Sequence, residues 1–400
     1  MSGPFEGVNV LDLGSMVAGP GAATVMCDQG ANVIKIEPTG MGDVMRYLSS
    51  MRGGVSGLYH SVNRGKRSMC LDMKSEEGVA LLQQLAEKTD VVIQNYRPGV
   101  AERLGVDYDS LRKFKPDLIY LSASGFGDSG PNRDKPAYDA IIQAFAGISQ
   151  SQADLETNVP VNYYQLFADK LTALTGSQAV SAALFARERG KGGQHIKLSM
   201  IDTVVAFLWA DTAGTAAFVG DGINGEKTQP GLAAAKGAKL IPFADGYGIA
   251  SPVTDKQFGG YCRAFGYPDD DPRFATIADR NTNAEELISM LRGINDIAAT
   301  MPVADAIAAM EAEGVPCAMA QNLEDLPDHP QFVANETFAT IDNPQAGKIL
   351  EPNNAPNFMG TPAPPLRPAA SLGEHTNEIL RELGLDDTRI TQLREQQVVG

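Results

Sequence analysis

The sequence predicts an α/β fold, a doubly wound parallel sheet followed by a smaller α+β domain. Two observations carry that prediction. Over the first two hundred residues, short apolar runs alternate with stretches of helical period, the pattern of parallel strands joined by crossover helices. From about Asn224 to Asp325 the elements become shorter and mixed, and a length of 400 residues suits two or three domains.

NVLDL at 9–13 reads as a strand, Ala18–Gln29 as a helix closed by Gly30, and NVIKIE at 32–37 as a second strand, together one βαβ unit. Ser75 is placed to cap SEEGVALLQQLAEK, whose Val79, Leu82, Leu85 and Ala86 share one helical face. DVVIQN and LIYLSAS are continuous apolar runs, as strands covered on both faces require. In the second region, a strand pair is expected around KLIPFADGYGIAS, with helices over Asp255–Phe265, Ala284–Arg292 and Val303–Glu313. The segment Pro352–Pro368 is proline-rich and reads as extended, until a last helix in HTNEILRELG returns to the first domain. The domains are therefore 1–215 completed by 335–400, 224–330, and a return segment 331–400 that packs on the large domain.

Composition narrows the function. A net charge of −16 argues against nonspecific binding to nucleic acid or an anionic membrane surface. No apolar run approaches the ~20 residues of a membrane span, and MSGPFEGVNV lacks a secretory signal's basic start and apolar core, so a cytoplasmic location is expected. Cys27, Cys70, Cys262 and Cys317 form no CxxC pair, and His60, His195, His329 and His375 show no HExxH spacing, so no metal centre is expected. A polyanionic small ligand would need a local cationic cluster. The densest is Arg64, Lys66, Arg67, Lys74 and Arg97, which suits a phosphate ligand or a solvated face equally.

GFGDSG at 125–130 satisfies GxGxxG after a strand, but Pro131-Asn132-Arg133-Asp134 follows where a dinucleotide fingerprint needs a helix start. There is no GxxxxGK[ST] and no GxSxG. More informative is Asp169, directly before the small-residue stretch LTALTGSQAVSAALFARER. At a helix start, free N–H groups and the helix dipole keep a carboxylate ionised, as a nucleophile needs. Asp is also a preferred N-cap, and position alone leaves capping and catalysis open.

Eight strings in register resemble the family III (CaiB/BaiF type) coenzyme A transferases. They are VLDLGSMVAGP, GANVIKIEPTGMGD, NRGKRSMCLDMKSEEG, VVIQNYRPGVAERLGVDYDSL, LIYLSASGFGDSGP, PAYDAIIQAFAG, ADKLTALTGSQAVSAALFARERGKGGQ and LGEHTNEILRELGL. The resemblance implies a Rossmann-like large domain without a nicotinamide role and a homodimer whose subunits interlink like chain links. It implies that Asp169 is the catalytic carboxylate, which moves CoA between carboxylic acids through an aspartyl anhydride and an aspartyl-CoA thioester. CoA is then a substrate, and no tightly bound cofactor is expected. By the same match, CoA is held by Val17, Ala18, Met73, Lys74, Asn95, Tyr96, Arg97 and Arg103. Arg and Lys suit its phosphates, while Met73 and Tyr96 suit the adenine or pantetheine.

Two departures narrow that reading. Formyl-CoA transferases of the family carry Gln where this chain has Val17, and a long glycine-rich loop with no counterpart around DGYGIASPVTDKQFGGY, which argues against oxalate as acceptor. Gly259 and Gly260 fall within the expected Asp255–Phe265 helix and read as close packing. The α-methylacyl-CoA racemases of the same fold are the alternative, but they place a His where this chain has Tyr138. A phenol of pKa about 10 is poorly matched to α-proton exchange near neutrality, so Tyr138 reads as a residue of the substrate pocket.

Overall fold

The computed structural model describes residues 3–154, 157–222, 225 and 239–400; the expected start of the smaller domain at Asn224 lies outside them. Met1–Leu208 with Val333–Gly400 form one compact unit and Trp209–Phe332 another.

The first unit is built on six strands, β1 (Asn9–Asp12), β2 (Asn32–Glu37), β5 (Arg67–Cys70), β6 (Val91–Gln94), β7 (Ile119–Ser124) and β8 (Gln194–Ser199). All pair in parallel, in the order β5-β2-β1-β6-β7-β8. A short antiparallel ladder, β3 (Met51–Arg52) with β4 (Val55–Ser56), lies between β2 and β5 in the chain. The sequence reading missed β5 and β8. Both are edge strands, and RSMC and QHIKLS lack the unbroken apolar run that marks the central strands.

Helices cover both faces. On one, α3 (Glu76–Glu87), α4 (Val100–Leu104) and α5 (Tyr108–Leu111) contribute to a core with Leu11, Ile36, Met69 and Val92. Ser75 caps α3 by accepting from the Gly78 N–H. Ile379, Leu380, Ile390, Leu393 and Val399 join this same core, so the end of the chain packs on the sheet. It supplies two helices, Thr376–Glu382 and an unanticipated Asp387–Glu395, after a hairpin of β12 (Phe338–Asn343) and β13 (Gly347–Pro352).

On the other face lie α1 (Ala18–Asp28) and α8 (Phe167–Ala186), packed through Ala22, Ala23, Met26, Ala173 and Val180. Small residues let these helices approach closely. A Cβ added to Gly21 would sit 2.9 Å from that of Ala173, and one on Gly176 would sit 3.0 Å from Leu121 Cδ2. Helix α2 (Gly57–Asn63) precedes β5, and α6 (Asp139–Phe145) and α7 (Ile148–Ser151) lie between β7 and α8. Helix α9 (Met200–Thr212) follows β8.

The second unit holds a three-stranded antiparallel sheet in which β10 (Tyr247–Ala250) pairs β9 (Ile241–Pro242) and β11 (Cys317–Met319). Around it pack helices Asp255–Ala264, Ala284–Ala298 and Val303–Ala312. Gly260 does mark close packing, since a Cβ there would lie 2.9 Å from the Glu313 carbonyl oxygen. Among the described residues, no helix is long and apolar enough to cross a membrane.

Candidate active site

The site follows from the sheet order. Successive strands are added outward one way through β2 to β5, and then the other way from β6, so the winding order reverses between β1 and β6 while the strands stay parallel. In open parallel sheets, ligands bind beyond the carboxyl ends of the strands at such a point. A cavity of about 340 Å³ lies there, lined by residues that follow β1 (Ser15, Met16, Ala18), β6 (Asn95, Tyr96, Arg97), β7 (Gly125, Arg133, Lys135, Tyr138) and by Asp169.

The loop after β1 is held from four directions. The Gly14 N–H donates to Asp12 Oδ1 at 2.9 Å, and the Gly14 carbonyl accepts from Lys35 Nζ at 2.9 Å. Asn95 grips Ser15 twice, accepting its N–H at 2.9 Å and donating Nδ2–H to its carbonyl at 2.8 Å. The Met16 N–H reaches Asp43 Oδ1 at 3.4 Å. These bonds hold Met16 in the left-handed region, φ 63°, which a non-glycine residue adopts only under constraint.

Behind the loop lies a buried ionic cluster. Lys35 sits 3.1 Å from Asp43, and Lys66 Nζ donates to Asp12 Oδ2 at 2.8 Å, all four side chains being buried. Burial works against the charge on Lys35, but Asp12 and Asp43 outweigh it and raise its pKa. For Lys66 burial prevails over Asp12 and pushes the ammonium down to about 8.

The structure corrects the local reading of Asp169. Helix α8 opens at Phe167, three residues earlier than a cap at Asp169 would have it, so Asp169 lies inside the first turn and the N-cap is Leu166, with no side-chain cap bond. The capping role falls to Asp139 in α6, whose Oδ2 accepts the Asp169 N–H at 2.9 Å. Asp139 is buried, and its Oδ1 accepts from Gln143 Nε2. Gln143 in turn donates to the Gln165 carbonyl at 3.1 Å and accepts the Tyr163 N–H at 2.8 Å, which fixes the approach to α8.

The electrostatic consequence opposes the simple helix-start argument. Asp169 is partly withdrawn from the surface, and burial first, then the Asp139 charge, push its carboxyl up to about 7. Its own N–H is spent on another carboxylate, so it receives little of the stabilisation a helix start offers.

Of the residues singled out in the sequence, the cavity gathers Ala18, Asn95, Tyr96, Arg97, Tyr138 and Asp169. Val17 is buried beside it, packed with Met45 and Tyr59. Met73 lies in the apolar core of the α3 face, and Lys74 and Arg103 are exposed away from the cavity lining. Sequence reasoning missed Ser15, Met16, Arg133, Lys135 and Asp139. The signal for the cations was present in PNRDKPAYD, a turn carrying three charges just ahead of Tyr138. Among the described residues, no group of three His, Cys, Asp or Glu side chains is arranged to hold a metal.

Comparison with known proteins agrees with this architecture. The family described as CoA-transferase family III matches residues 5–376. The acetyl-CoA:oxalate CoA-transferase of Acetobacter aceti is 33% identical over 392 residues, covering 95% of each chain. The succinate–glutarate CoA-transferase of Agrobacterium fabrum is 31% identical, covering 95% of this chain and 96% of its own. A CaiB/BaiF family protein from Brucella suis superimposes with a TM-score of 0.80 at 29% identity, over 96% of this chain and 100% of that one. With a parallel central sheet of this fold and a match spanning nearly its whole length, the chain belongs to CoA-transferase family III, the CaiB/BaiF family, and is a CoA-transferase.

Proposed function

We propose that this enzyme moves CoA between carboxylic acids through covalent intermediates on Asp169. The observation that carries the reading is a carboxylate in the first turn of α8, facing a cavity at the sheet's switch point with Arg97, Arg133 and Lys135 in its lining. A carboxyl oxygen of Asp169 attacks the thioester carbonyl of the donor. The C–S bond breaks and CoA leaves as thiolate, giving a mixed anhydride. The thiolate then attacks Asp169 Cγ, the anhydride C–O bond breaks, and the donor acid departs as carboxylate. An acceptor carboxylate attacks the aspartyl-CoA thioester, expels thiolate and forms a second anhydride. Attack of thiolate on the acceptor's acyl carbon releases the new thioester and restores Asp169.

A carboxyl held near pKa 7 is more basic than an ordinary aspartate, and its ionised form is correspondingly the better nucleophile. Helix α1 opens at Ala18 without a side-chain cap, so its first N–H groups are the donors we assign to the tetrahedral oxyanions. CoA is assigned to Val17, Ala18, Met73, Lys74, Asn95, Tyr96, Arg97 and Arg103, with Lys135 added from the cavity lining, and Tyr138 to the acyl pocket. The Rossmann-like large domain carries CoA, and residues 224–330 carry determinants of acid choice. Short dicarboxylates are the acids we favour, because relatives are named for oxalate, glutarate and citramalate. An interlinked homodimer in the cytoplasm completes the proposal, supported by exposed Ile141, Phe145, Leu174, Phe185 and Phe207.

Mass spectrometry of CoA exchange between succinyl-CoA or acetyl-CoA and a panel of carboxylates, with wild type and Asp169→Ala, tests the mechanism. Exchange is expected to vanish in the variant while the fold remains. Retained turnover would defeat it, and α-deuteration without an acceptor would mark the racemase chemistry instead.

A further inference from the structure

A row of polar side chains runs diagonally across three strands, from the cavity end of β6 through the middle of β7 to the start of β8. The Oε1 of Gln94, at the end of β6, accepts the backbone N–H of Tyr96 at 2.6 Å. That bond fixes the amide's orientation, so Gln94 Nε2 is the atom that donates to Ser122 Oγ on β7 at 2.8 Å. Ser122 Oγ lies 2.8 Å from Nε2 of His195 on β8. We assign the serine proton to Nε2, the acceptor that lies within its reach in this row. His195 is then neutral, with its own proton on Nδ1. Its ring is held by Tyr108, stacked at 5.1 Å, and by the edge contact with Tyr120 at 5.3 Å.

We propose that Gln94, Ser122 and His195 form a positioning relay that fixes the Asn95–Tyr96–Arg97 strap of the cavity, so that CoA affinity depends on a neutral His195. The inference rests on the assignment of CoA to that strap. None of the three lines the cavity, and each acts through the Tyr96 backbone. The strap is thereby tied on two sides, because Asn95 holds Ser15 while Gln94 holds Tyr96. If His195 takes up a second proton, Nε2–H points at the serine oxygen. Ser122 then faces two donors, its own proton has no acceptor in the row, and the Gln94 amide loses its preferred orientation. Burial, then Lys197, push the imidazole below its ordinary value, while Asp128, Asp109 and Glu102 pull the other way and are outweighed. The neutral form therefore prevails at neutral pH.

Calorimetric titration of the full-length enzyme with free CoA, between about pH 5.5 and about pH 8, reads the relay directly. Ser122→Ala is expected to weaken CoA by about 5- to 10-fold near neutrality, with kcat at saturating substrate little changed. Ser122→Thr, which keeps the hydroxyl, is expected to return affinity to within about twofold. His195→Gln is expected to abolish the part of the acid-side loss that its imidazole causes, leaving the titration of the CoA phosphates and of Asp169 in the same cavity. Tyr96 amide hydrogen exchange should quicken in Ser122→Ala and not in Ser122→Thr. Arg97→Ala separates the two readings. If it leaves CoA affinity intact, the placement of CoA is wrong and the relay falls with it. If it weakens CoA while Ser122→Ala and the Tyr96 exchange rate match wild type, the relay alone is overturned.

Discussion

Asp139 caps the helix that carries Asp169 from another helix, its Oδ2 accepting the Asp169 N–H at 2.9 Å. The same carboxylate anchors the nucleophile's backbone and raises the pKa of its side chain, burial being the larger cause and the Asp139 charge the second. Asp139→Asn keeps an acceptor for the N–H and removes the charge, at the cost of the bond from Gln143 Nε2. The acid limb of kcat/KM should therefore move to lower pH, while Asp139→Ala loses the cap and costs about 1 kcal/mol of stability. Rate profiles and denaturant unfolding of the two variants separate charge from cap.

Asp169 itself should cost stability where it is active. The folded chain holds its proton up to about pH 7, whereas an ordinary aspartate holds it only to about 3.8, so stability falls as pH rises between those values. Asp169→Asn has no such fall. It should be more stable than wild type above pH 7, by ~1–3 kcal/mol because partial exposure blunts the full shift, and the gain should vanish toward about pH 4. Urea unfolding across that range checks the sign.

Met16 is held in a conformation suited to glycine. Met16→Gly should relieve ~1 kcal/mol of backbone strain in the folded state, with part of that returned through the freer unfolded chain, yet lower kcat by loosening the loop beside Asp169. Asn95→Ala removes both bonds to Ser15 and should cost ~1–3 kcal/mol together with activity. Thermal unfolding and kcat, measured side by side, should move in opposite directions for the first variant and together for the second.

The closeness of α1 and α8 is set by Gly21 against Ala173. Gly21→Ala puts a Cβ within 2.9 Å of the Ala173 Cβ, which forces the helices apart and should cost ~1–3 kcal/mol. Since both helices end at the cavity, kcat should fall as well. Adding Ala173→Gly should recover much of both losses, and a double-mutant cycle gives the coupling.

The central strands were legible because a parallel strand covered on both faces carries a run of apolar residues, as in Val91, Val92 and Ile93 of β6. Edge strands β5 and β8 escaped because that requirement relaxes where only one neighbour pairs. In the smaller unit, β11 escaped because three residues, CAM, carry no period. Asn95 and Tyr138 were reached through resemblance, whereas Asp169 was marked by its place before a helix and Arg97 by the cationic cluster, with resemblance supplying their roles. Asp139 was adjacent to Tyr138 in the sequence, but nothing local showed that its carboxylate would serve a helix beginning 28 residues later. Ser122 and His195 are 73 positions apart, and only the parallel pairing of β7 with β8 makes them neighbours.

The four-way hold on Gly14–Met16 also bears on how this enzyme could be altered. Asp12, Lys35, Asp43 and Asn95 each secure a different atom of one loop, so changing any of them strands a buried partner and would call for simultaneous compensation. The loop that brings Arg133, Lys135 and Tyr138 to the same cavity is pinned through its backbone, by the Arg133 N–H on the Gly130 carbonyl and the Lys135 N–H on the Asn132 carbonyl, and these side chains are far more exposed. Attempts to give the enzyme a new acid can therefore include Tyr138 of the acyl pocket, an exposed side chain that can be changed by itself.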